Sequence, residues 1–199
     1  MKEKTGSISS LGDDISRLYE KLREQKFKKW DRVLPLNELL IDRWEKAKFL
    51  KAKTGASIYD NSYVYGDVAI GKSTWIGPYT ILDGSGAKLS IGNFCSISAG
   101  VQIYTHNTVD WALTGGKSKY KSNKVRIGSS CYIGPNSIIS MGSTIGSHSI
   151  IGAQSMIDGK VPSNSVVFGT PGRIVGRVKI LDKHTKIQYF DKPKNLKRV

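Results

Sequence analysis

A triangular parallel β-helix is the fold this sequence predicts, and three recurrences predict it. An aliphatic residue returns every six positions, a small or β-branched residue follows four positions after it, and glycine often stands directly behind it. The aliphatic series runs Ile58, Val64, Ile70, Ile76 and Leu82, then Ile91, Ile97 and Ile103, then Ile127, Ile133, Ile139, Ile145, Ile151 and Ile157. The small residues are Ser62, Val68, Thr74, Thr80, Cys95, Val101, Cys131, Ser137, Ser143, Ser149, Ser155 and Val161. So long a short-period repeat marks a solenoid.

Three short strands joined by tight bends make one coil, and stacked coils set each residue above another at about 4.8 Å. The aliphatic then points inward onto its counterpart, the small residue fits the crowded corner, and the glycine helps the chain turn there. Cys95 and Cys131 fall in the small-residue slot and read as buried fillers; neither a CxxC pair nor a disulfide framework is present.

Residues 1–56 read as an N-terminal helical cap segment, with Ile15, Leu18, Tyr19 and Leu22 at helical spacing and Leu39, Leu40, Trp44 and Phe49 beyond Pro35. Such a segment covers the first coil, whose open backbone edge otherwise invites pairing. The prism spans 57–173. Residues 174–199 read as a basic tail, a short strand or helix with a frayed end.

Two breaks interrupt the period. The spacing from Leu82 to Ile91 is nine, so three extra residues bulge out within DGSGAKLS; the spacing from Ile103 to Ile127 is 24, which ejects a loop at 107–126 without losing phase. Counting three hexads per coil, Leu82 lies directly below Ile103. Both breaks therefore share one side of the prism, with Asp83 near Tyr104 and His106 at the root of the long loop. Loops on a rigid scaffold are where function concentrates.

Lys plus Arg number 31 against 16 acidic residues, a net charge of +15, which predicts an anionic partner. No recognised nucleic-acid motif occurs. The absence of a run of about 18 apolar residues and of a secretory signal predicts a cytoplasmic protein without a transmembrane segment.

The hexads of residues 57–173 resemble the hexapeptide-repeat acyltransferases, left-handed parallel β-helices, and among them the maltose and galactoside O-acetyltransferases; GVQIYTHNTVDWALTGGK is similar to the branch that acetylates bacterial surface polysaccharides. The hand of the helix is implied by this resemblance alone. So is the activity: transfer of an acetyl group from acetyl-CoA to a sugar hydroxyl, without a metal, in a homotrimer with active sites between subunits. In that family the loop histidine is the general base, which here is His106; imidazole titrates near neutrality and suits that task. His148 is expected to point outward, and His184 lies in the tail. Asp83 is a candidate to orient the imidazole or bind the acceptor, beside Tyr104 and Trp111. Trp111 also reads as a loop anchor.

For acetyl-CoA, positions carried over from the family are Pro135, Ala153, Asp158, Gly159 and Arg173, with Lys160 and Arg177 as phosphate candidates, Gly169 and Thr170 in the FGTPGR turn, and Gly142 as an oxyanion donor. Asp158-Gly159-Lys160 departs from the family's Thr-Lys pair by displacing the lysine one residue. Lys117, Lys119, Lys121, Lys124 and Arg126 fit either a phosphorylated acceptor or a solvated surface. N-acetylation of an amino sugar or nucleotide-linked amino sugar stays open, with an antibiotic or serine acceptor behind it. The other classes are a non-catalytic binding scaffold and a zinc-dependent carbonic anhydrase of the same fold, whose three clustered histidines this chain lacks.

Overall fold

In the computed structural model, which describes residues 5–196, the repeat closes into a three-faced prism of parallel strands. The cap segment's residues 1–4 and the tail's 197–199 lie outside the described residues. On the first face Ile58, Ile76, Ile97, Ile133, Ile151 and Val167 stack in register. The second column is Val64, Leu82, Ile103, Ile139 and Ile157, and the third is Ile70, Ile91, Ile127, Ile145 and Val161. These three columns are the core. Val161 therefore corrects its expected place: the last corner is shortened, and Val161 is an inward residue on Ile145 rather than a corner filler.

The other corner residues are buried as expected except Val68, which is half-buried, and their polar atoms explain the preference for small donors. Ser62 Oγ donates to the Gly77 carbonyl at 2.8 Å, Thr74 Oγ1 to Gly92 at 2.7 Å and Ser137 Oγ to Gly152 at 2.9 Å. Cys95 and Cys131 donate through sulfur to Gly128 and Gly146. Each bond satisfies a corner carbonyl on the neighbouring coil.

The glycines act differently from the expectation. The turn itself is made three residues past the aliphatic, where Ser73, Tyr79, Phe94, Ser130, Asn136, His148 and Gln154 hold φ between 53° and 59°. The glycine directly after the aliphatic is required by close approach: a Cβ on Gly92 would stand 2.6 Å from the carbonyl carbon of Gly128.

At the lower end, α1 (Thr5–Trp30), α2 (Leu36–Leu40) and α3 (Arg43–Phe49) precede the first strand. Asp42 caps α3 by accepting the Trp44 N–H, and α3 buries Ala47 beneath the first coil with Leu50 and Ala52. Lys46 Nζ donates to the carbonyls of Tyr59, Asp60 and Ser62 at 3.2, 2.5 and 2.8 Å. Burial lowers its pKa against the pull of Asp60 and Glu38. The cover is thus α3. Leu11, Ile15 and Leu18 of α1 stay exposed, and no described helix is long and apolar enough to cross a membrane.

The upper end corrects the expected frayed tail. Arg173–Leu181 pairs antiparallel with Ser165–Phe168 on one side and His184–Asn195 on the other. Ile174, Gly176 and Val178 alternate inward against exposed Arg177 and Lys179, the period of a strand. Ile174, Phe190 and Leu196 pack onto the core and close the last coil.

Candidate active site

The edge between the second and third faces collects both breaks in the repeat. Ile81–Ile91 is one continuous strand that rounds the corner and pairs with Tyr63–Ile70 below, and the three extra residues bulge out where Ser85, Gly86, Ala87 and Lys88 stand opposite Asp67 alone, between the Gly66–Gly84 and Val68–Leu89 pairs. Past the bulge the register resumes at Leu89, fully buried between Val68 and Val125. The long loop leaves through His106–Asn107 and returns antiparallel through Lys121–Ser122, with α4 (Val109–Leu113) between them. Thr105, fully buried, ties the two breaks together. Its N–H donates to the Asp83 carbonyl, its Oγ1 accepts the Ala87 N–H, and its carbonyl accepts the Asn123 N–H.

Asp83 pairs in register with Tyr104 above and Tyr65 below. Its side chain is only 10% exposed; Oδ1 accepts from the Ser85 N–H at 2.9 Å and the Ser85 hydroxyl at 2.5 Å. Oδ2 lies 3.4 Å from Nδ1 of His106, whose side chain keeps 27% of its surface. That Nδ1 is buried and makes no hydrogen bond, so Asp83 is its near neighbour without a formed bond. Gly86 passes against the base of the His106 side chain: a Cβ there would collide with His106 Cβ and stand 3.1 Å from both His106 Cγ and Ser122 Cβ. The Tyr104 hydroxyl donates to Gln102 Oε1 at 2.8 Å, and burial, then the Asp83 carboxylate, then Tyr65, raise its pKa.

Chemically, an imidazole with one nitrogen beside a buried carboxylate and part of its surface exposed can take up and return a proton. Among the described residues no group of three or more His, Cys, Asp or Glu is placed to hold a metal ion. His148 is exposed at a different corner, and His184 opens the last strand of the upper hairpin.

The expected acetyl-CoA residues separate into four places. Pro135, Ala153, Gly169 and Thr170 run along the edge between the first and second faces, where the Gln154 N–H donates to the Pro135 carbonyl and Thr170 Oγ1 donates to Gln154. Gly142, Asp158 and Gly159 lie on the opposite edge of the second face, above the loop; a Cβ on Gly142 would meet Asn123 Nδ2 at 3.1 Å. Arg173 spans the top, where it lines a recess of about 150 Å³ with Met156, Asp158 and Gly172. Lys160 and Arg177 fall outside this arrangement. They line a cavity of about 550 Å³ over the third face with Thr144, Gly146 and Lys194. The N–H groups of Gly159 and Gly169 already donate to Ser143 and Ser155.

In the loop, Trp111 sits edge-on to Tyr120 at 5.7 Å, and Lys121 pairs with Asp110 at 2.5 Å. Trp111 thus packs within the loop and keeps 43% of its surface free. Sequence reasoning missed Tyr65, Ser85, Gly86 and Thr105. The coil count that set Asp83 below Tyr104 equally sets Tyr65 below Asp83, and Ser85 and Gly86 are the inserted residues themselves.

Residues 124–159 match the bacterial transferase hexapeptide model, six repeats. The prism is a left-handed hexapeptide-repeat β-helix. Its likeness extends well past the matched segment. A hexapeptide-repeat acetyltransferase from Vibrio cholerae is 24% identical over 89% of this chain and 96% of its own, with a TM-score of 0.57. A maltose O-acetyltransferase from Clostridium difficile is 21% identical over 84% and 86%, with a TM-score of 0.55. A mutant of AntD, an N-acyltransferase from Bacillus cereus, in complex with dTDP and coenzyme A, is 22% identical over 69% and 89%, with a TM-score of 0.56. At these identities the likeness is one of fold. No curated protein matches the sequence.

Proposed function

We propose that this hexapeptide-repeat protein is an acyltransferase that moves an acetyl group from acetyl-CoA to a sugar hydroxyl in bacterial surface-polysaccharide synthesis, with His106 as general base. The observation that carries this reading is His106 itself, seated against Asp83 at 3.4 Å where both interruptions of the repeat converge. Asp83 favours the imidazole tautomer protonated at Nδ1 and leaves the Nε2 lone pair for the acceptor. As the acceptor oxygen attacks the thioester carbon, Nε2 takes its proton. When the carbon–sulfur bond breaks, the same proton passes to the departing thiolate. Gly142 is the donor assigned to the transient oxyanion.

Acetyl-CoA lies along the second face between the Pro135–Ala153–Thr170 edge and the Gly142–Asp158–Gly159 edge, with Arg173 toward its phosphates. Lys160 and Arg177 serve that end less directly, because they face the third-face cavity. Tyr104 and Trp111 border the acceptor. The assembly is a cytoplasmic homotrimer whose active sites lie between subunits.

A second reading, N-acetylation of a nucleotide-linked amino sugar, is favoured by the cationic loop of Lys117, Lys119, Lys121, Lys124 and Arg126, and by the dTDP bound to the structurally similar N-acyltransferase. The test is thiol release from acetyl-CoA against sugars, glycans and nucleotide-linked amino sugars, with mass spectrometry of the product. An ester on a sugar supports the first reading and an amide the second. Failure of any of these acceptors to accelerate thiol release contradicts both.

A further inference from the structure

We infer that Ser85 and Gly86, supplied by the three inserted residues of the Ile81–Ile91 strand, are positioning residues that seat the His106–Asp83 pair. The inference rests on the general-base reading of His106. Two observations carry it. The Ser85 N–H and hydroxyl both bind Asp83 Oδ1, which leaves Oδ2 turned toward His106 Nδ1. Gly86 lies so close to the root of the His106 side chain that a Cβ would displace His106 Cβ, with Ser122 Cβ, on the strand paired with His106, at 3.1 Å.

The inserted length has a purpose on this account. The Tyr63–Ile70 strand rounds the same corner in the normal spacing and carries Gly66 and Asp67 there. Three more residues let the chain turn back a hydroxyl and an N–H onto Asp83 and still bring a glycine beneath the loop root. Neither residue touches the acceptor or the thioester. Each acts through His106, Ser85 by fixing which carboxylate oxygen faces the ring and Gly86 by fixing where the ring stands.

The experiment compares Ser85→Ala, Ser85→Thr, Gly86→Ala and His106→Ala for kcat, for KM toward acetyl-CoA, and for the His106 tautomer by nitrogen-15 NMR. Loss of the hydroxyl is expected to lower kcat by about 10- to 100-fold with KM for acetyl-CoA unchanged, in line with loss of one hydrogen bond to a charged group. It should also reduce the fraction of His106 protonated at Nδ1. Ser85→Thr, which keeps a hydroxyl, restores both. Gly86→Ala is expected to lower kcat by about 100-fold, the scale of a roughly 1 Å misplacement of a reacting group. Thermal melting separates misplacement from unfolding, since the tautomer is read on folded protein. Unchanged kcat and tautomer in Ser85→Ala, with activity still lost in His106→Ala, overturn the positioning inference alone. Full activity in His106→Ala overturns the general-base reading beneath it.

Discussion

Oδ2 of Asp83 faces Nδ1 of His106 across 3.4 Å, and the two residues come from breaks in the repeat that are 23 positions apart in sequence but adjacent coils in space. The register of the prism, not the local sequence of either break, creates the pair. Asp83→Asn keeps the shape and removes the charge. Its expected effect is a fall in kcat of about 10- to 1,000-fold, measured by thiol release, with acetyl-CoA binding intact.

Asp83 also acts on Tyr104. The folded-state pKa of Tyr104 stands above the ordinary 10.0, from burial first and then from the carboxylate. A group whose folded pKa is raised contributes stability that is fully present below its unfolded value and is lost as pH rises through the folded value. Stability should therefore decline above about pH 10, and this part of the decline should shrink in Tyr104→Phe. Ultraviolet titration of the phenol should show Tyr104 ionising at lower pH in Asp83→Asn than in the parent protein.

The lower cap depends on Lys46, whose ammonium satisfies three carbonyls of the first coil. Lys46→Ala leaves those acceptors without their donor. A loss of about 2–3 kcal/mol in urea unfolding is expected, the scale of hydrogen bonds to a charged group.

The spacing glycines give an equally direct test. In Gly92→Ala the new methyl meets the Gly128 backbone at 2.6 Å, and neither coil can yield without disturbing its ladder. Melting should show a loss of about 1–3 kcal/mol, typical of overpacking. A glycine required only for turning would tolerate alanine there, because its φ is not positive.

Much of this was legible in the sequence because a six-residue period fixes three-dimensional neighbours by counting. The columns, the corner residues and the meeting of Asp83, Tyr104 and His106 all follow from it. What counting misses is anything that leaves the period. The last corner closes four residues after Ile157, so Val161 changes role, and the strand alternation of Ile174, Gly176 and Val178 falls outside the six-residue period. Ser85 and Gly86 were invisible because inserted residues have no place in the repeat; only the ring above them shows why one is a donor and the other lacks a side chain. The acetyl-CoA positions, carried over by resemblance, divide among two edges, the top recess and the third-face cavity because sequence neighbours such as Gly159 and Lys160 straddle a corner.

The most direct test of the account is the activity of His106→Ala in thiol release from acetyl-CoA with the accepted sugar. The account predicts a fall of about 10²- to 10⁴-fold with acetyl-CoA affinity nearly unchanged, as for loss of a general base. Transfer at the parent rate in a folded His106→Ala protein would contradict it.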